Sequence, residues 1–200
     1  MKLTAENVRA IGTFLSSYHS DLSYIDNFQK HKKKHITTAE YVLENKGMFK
    51  TFINEFRVAR NIPLGNTHLV LNETMFWISS NSADDVDGFA YHLNKKNVTT
   101  EKKIMTSLAS KILFLNNPWI LLPFDNLAKK SLKQRSNRYE DYLPKMHSYR
   151  NEKESEIEQM LSTVNKHVKI IEQDFKHLED IKIIRQNRFV DKLLWSGGKF

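Results

Sequence analysis

SLASKILFLNNPWILLPFDNLAKKSL, residues 107–132, is the most apolar stretch of the chain, and its reading decides the fold. Leu108, Ile112 and Leu115 follow helical spacing, which predicts a helix that begins after Thr99 or Thr100 and runs through Ile104. Asn116-Asn117-Pro118-Trp119 then reads as a turn. Pro123 stops any continuation, and Asp125 behind it is placed to cap a helix over 126–134. The stretch therefore predicts two helices joined by a turn, the central hairpin of an all-α fold.

The flanking sequence carries the same period. Thr4 is placed to cap a helix bearing Val8, Ile11, Phe14 and Leu15. Ser20 is placed to cap a second with Leu22, Ile25 and Phe28, which runs out into the basic loop Lys30–His35. Thr37-x-x-Glu40 has the form of a capping box, with Gly47 at the far end of that helix. Phe49, Phe52, Ile53 and Phe56 line a fourth helix, closed by a loop at 61–65. Residues 67–79 fit a strand or a buried helix, and helical neighbours favour the helix. Asp84 or Asp85 caps the next, with Val86, Phe89, Ala90 and Leu93.

The last third differs. Ile157, Leu161, Val164, Val168, Ile171, Phe175 and Leu178 alternate steps of four and three, a heptad seam on a helix over about 151–178. An amphipathic helix over 181–195 follows. The expected architecture is an N-terminal multi-helix bundle, 1–136, with a long C-terminal helical hairpin, 137–200, the two forming one continuous domain or two. The seam is expected to pack inside the chain, or else to bind a protein partner or a second copy through the C-terminal helices.

Composition narrows the functional classes. Two hundred residues, 40% of them apolar, suffice for a buried core. The absence of cysteine excludes disulfides, thiolate metal sites and a cysteine nucleophile, and fits a cytoplasmic protein. The start MKLTAENVRA lacks the apolar region of a secretory leader. The run 112–124 holds two Asn and two Pro and is too short to span a bilayer, so no membrane-spanning segment is expected. No zinc-binding H-E-x-x-H, phosphate-binding loop, G-x-S-x-G or dinucleotide fingerprint occurs. Asp84, Asp85 and Asp87 near His92 read as a cap cluster before they read as a metal site, and neither metal nor cofactor is expected.

The net charge of +8 favours an anionic partner: nucleic acid first, an acidic protein second, a membrane surface third. Lys129, Lys130, Lys133, Arg135 and Arg138 fall within ten residues that contain no acid. On a helix the first three lie near one another and would contact phosphates, with Tyr139, Tyr142 and Tyr149 either stacking nearby or belonging to the core.

Lys111 and Asp125 raise a catalytic alternative. If their helices pack antiparallel, both face one cleft, where burial would make the lysine a usable amine and the helix terminus would stabilise the carboxylate. The plainer reading makes Asp125 an N-cap and lets Lys111 reach solvent or pair with it. The order of a lysine-bearing apolar helix, a turn and P-x-D opening the next helix resembles the core of the helix-hairpin-helix DNA glycosylase superfamily. That resemblance implies base excision, with Asp125 matching the catalytic aspartate and Lys111 the lysine. The chain departs from it in lacking the glycine-rich hairpin that binds DNA phosphates, since 116–119 contains no glycine. Ser110-Lys111-x-Leu113, Pro118 and Pro123-Phe124-Asp125 also look like a segment of bacterial helical proteins of unestablished activity, which implies a shared fold.

Overall fold

The computed structural model describes residues 3–33, 38–80, 82–100 and 103–199, and those residues form an all-α protein. The α-helices are α1 (Ala5–Lys33), α2 (Thr38–Glu55), α3 (Thr67–Ile78), α4 (Val86–Lys95), α5 (Thr106–Asn116), α6 (Asn126–Ser131), α7 (Tyr139–Glu152), α8 (Glu154–Glu172) and α9 (Ile181–Gly197). The ambiguous stretch at 67–79 is helix α3.

Several boundaries differ from those read from the sequence. Thr4 does cap α1, its Oγ1 accepting from the Asn7 N–H at 3.2 Å. The helix then runs without a break to Lys33, so the two expected helices and the loop start at Lys30 are one element. Nothing between Leu15 and Leu22 stops it: Phe14, Tyr18, Leu22 and Ile25 continue a single buried face. Gly47 likewise lies inside α2 and ends nothing, while Thr37 of the expected capping box lies outside the described residues. At α5 the start is Thr106, with Ile104 more than half exposed before it. Thr100 instead ties its N–H and hydroxyl to the Asn61 and Arg60 carbonyls.

The contacts divide the chain into two compact units. One unit is Tyr24–Asn117; the other is Met1–Ser23 with Pro118–Phe200. The boundary falls inside α1 and again in the Asn-Asn-Pro-Trp turn. The opening stretch is therefore shared: α5 packs on α3 and α4 in one unit, and α6 packs on α9 in the other.

In the unit Tyr24–Asn117, every residue of α5 but Ser107 is buried. Its C-terminal carbonyls are met by side chains of α1: Gln29 Nε2 donates to Leu115 O and Asn116 O at 2.7 and 2.8 Å. Phe52 stacks between Phe49 and Phe56, with Tyr24 edge-on to it.

In the other unit, α8 and α9 are the long C-terminal helices, and they pack together. Six of the seven seam residues are buried and Ile171 is half-buried. That burial accounts for the seam within the chain. The helix expected over 151–178 starts instead at Glu154, past the break at Lys153 that ends α7, and a short turn at Gln173–Phe175 ends it before Leu178.

Candidate nucleic-acid interface

The basic segment is built on the start of α6. Asp125 adopts an extended conformation after Pro123, and its Oδ1 accepts from the Leu127 and Ala128 N–H groups at 3.0 and 2.9 Å. That is N-capping as the sequence predicts. On the inner side Gly198, the residue just past the end of α9, lets the two elements touch. A Cβ there would stand 2.1 Å from the Leu127 carbonyl oxygen, a backbone atom that cannot step aside.

α6 ends after two turns, short of Gln134. Lys133 takes a left-handed conformation (φ 50°), the Gln134 N–H bonds to Lys129 O, and the Lys133 N–H bonds to Lys130 O. This is a Schellman end, a position that favours glycine. Lys133 therefore lies beyond the helix rather than on its face, as do Arg135 and Arg138. Buried Gln134 organises the loop, its Nε2 donating to the Ser136 and Arg138 carbonyls.

The five predicted cations are not equivalent. Lys129 is half-buried, and its Nζ donates to Asn137 Oδ1 at 2.6 Å. Arg138 pairs with Glu140, an acid just beyond the acid-free run. Lys130, Lys133 and Arg135 are exposed and form no ion pair or side-chain hydrogen bond with other described residues. Lys145, on the second turn of α7, joins them in both respects. The neighbouring carboxylates are engaged, Glu140 by Arg138 and Asp141 by the Ser136 hydroxyl.

Tyr139 and Tyr142 belong to the core and do not form a stacking surface, while Tyr149 is half-buried. Tyr139 and Tyr142 are buried, and the Tyr139 hydroxyl both donates to Leu122 O and accepts from Leu122 N at 2.9 Å. Burial raises the Tyr142 pKa well above the usual phenol value, with Asp191 adding to the effect. Tyr149 is pushed up to about 12 by burial and by Glu6 and Glu156.

Lys111 and Asp125 lie in different units. Lys111 is buried, and its Nζ donates at 2.9 Å to Phe56 O, a carbonyl just past the end of α2. A cation there complements the helix dipole. Of the acids near α4, Asp85 caps the helix, Asp84 accepts from Asn117 Nδ2, and His92 pairs with Glu73 at 2.6 Å. Among the described residues no group of three His, Asp or Glu is arranged to hold a metal ion.

Sequence reasoning missed a buried charge cluster in the unit that carries α9. Arg188 is fully buried; its Nε and Nη2 donate to Asp21 Oδ2 at 2.9 and 2.7 Å, and its Nη1 stands 3.2 Å from Asp191 Oδ2. Lys192 completes the group, 3.4 Å from Asp191. Burial works against the charge on Arg188, but Asp21 and Asp191 outweigh it and hold the guanidinium above its ordinary pKa. Beside this cluster the Tyr18 hydroxyl donates to Glu172, which Arg185 grips with two hydrogen bonds. The available signal was periodicity: Asp21 stands seven residues after Phe14, and Arg188 four after Ile184, both at core positions of their helices.

No protein-family model, curated protein or solved structure matches the chain. Among the described residues no helix is long and apolar enough to cross a membrane.

Proposed function

We propose that the chain binds nucleic acid, as a binding module rather than through catalysis, using the face that carries Lys130, Lys133 and Arg135. One observation carries this reading. These three cations are exposed and without acidic partners among the described residues, while the acids beside them are already engaged. Cations left in water can meet phosphates without first breaking an ion pair, and the release of counterions from the nucleic acid drives the association. Lys129 supports the loop through Asn137, and Arg138 through Glu140. Lys111 and Asp125 are occupied with helix ends, and no observation favours a catalytic use of either.

The test is fluorescence anisotropy with labelled single- and double-stranded oligonucleotides over a range of salt. Binding should weaken steeply with salt, and Lys130→Glu with Arg135→Glu should reduce affinity by more than about tenfold while the thermal melt stays unchanged. A well-folded double variant that binds like the parent, or a parent that binds no oligonucleotide at low salt, overturns the proposal.

A further inference from the structure

Beside this face lies an open cavity of about 590 Å³, within the size range of small-molecule sites. Lys133, Arg135 and Lys145 line it, and none of them has an acidic partner among the described residues. Two carboxylates also line it. Glu140 is neutralised by Arg138, which leaves Asp141, held by the Ser136 hydroxyl, as the one uncompensated negative charge facing three cations. The local surplus is close to two positive charges. An internal phosphodiester carries one negative charge, whereas a terminal phosphate monoester carries nearly two at neutral pH.

We infer that this cavity takes a phosphate monoester, held between the two cations of the loop after α6 and Lys145 of α7. The inference rests on the nucleic-acid reading for its natural source, the phosphorylated end of a strand; a free mononucleotide offers the same chemistry. The cavity walls suit such a role because buried Gln134 fixes the loop backbone between Lys133 and α7. Lys145 stands on a helix, outside the loop assigned to the phosphodiester backbone.

The experiment compares one labelled single-stranded oligonucleotide with a 5′-phosphate, with a 3′-phosphate, or with hydroxyls at both ends. A terminal phosphate should raise affinity at least about tenfold, the worth of a single charge-assisted hydrogen bond. Lys145→Gln should remove that preference and lower affinity for the hydroxyl-ended strand by no more than about twofold. Displacement of the phosphorylated strand by a nucleoside 5′-monophosphate assigns the site to free nucleotides as well. Resistance to such displacement assigns it to strand ends, and both results support the monoester site. Equal affinity for phosphorylated and hydroxyl-ended strands overturns the cavity assignment while the broader reading stands. Retention of the preference in Lys145→Gln overturns it also. Failure to bind any strand, with no binding of the mononucleotide, removes both.

Discussion

The cations around Arg188 and those around Lys133 belong to the same unit and are treated in opposite ways. Arg188 is withdrawn from water, and two aspartates answer its charge. Lys130, Lys133, Arg135 and Lys145 remain in water without an acidic partner among the described residues. Desolvation explains the contrast. A buried charge without a partner costs several kcal/mol, so each one in the core must be matched; an exposed charge costs almost nothing to leave open. The first arrangement serves folding, and the second leaves charge available to a ligand.

The largest effect should come from breaking the buried match. Arg188→Met leaves Asp21 and Asp191 inside without their guanidinium, and stability should fall by about 3–5 kcal/mol in urea unfolding. A loss below roughly 1 kcal/mol would mean that water reaches the aspartates and that the cluster is not closed. Gly198→Ala comes next. Its Cβ meets the Leu127 backbone, so α6 must shift off α9 at a cost of about 1–3 kcal/mol. Gly197→Ala meets only the tips of Glu6 and Ser131 and should cost less, and equal losses would contradict the packing described.

Lys133→Gly sharpens the comparison because it pulls stability and binding apart. Relief of the left-handed lysine should stabilise the fold by roughly 1 kcal/mol, while oligonucleotide affinity falls. A variant that gains stability and keeps its affinity would show that Lys133 contributes nothing to the interface. The smallest effect on folding belongs to Lys130→Glu with Arg135→Glu, within about 0.5 kcal/mol, because neither side chain is engaged in the fold.

Short-range features of this fold were legible in the sequence. The seam from Ile157 to Leu178 is buried as its period requires, and Asp85 and Asp125 cap the helices they precede. Cap residues mislead where nothing else ends a helix. Ser20 and Gly47 carry terminal chemistry but lie inside α1 and α2, because the apolar register runs through them. Long-range pairing left a fainter trace. Asp21 and Arg188 meet across 167 positions, and each by itself looks like an ordinary charge on a helix. The partition into two units was hidden for the same reason, since α1 contributes to both. At the interface the cluster was visible as composition, but the division of labour within it was not. Asn137 and Glu140 occupy Lys129 and Arg138, and neither the loop conformation at Lys133 nor the approach of Lys145 follows from residue order.

The central claim is that the unmatched cations, and not the matched ones, hold the ligand. It is tested most directly by the salt dependence of oligonucleotide binding in the parent and in Lys130→Glu with Arg135→Glu. The log–log slope should lose about 0.7 for each phosphate contact removed from a single strand, roughly 1.4 in all, with an unchanged melt. A slope and affinity equal to the parent's, in a variant that melts like the parent, would contradict the account.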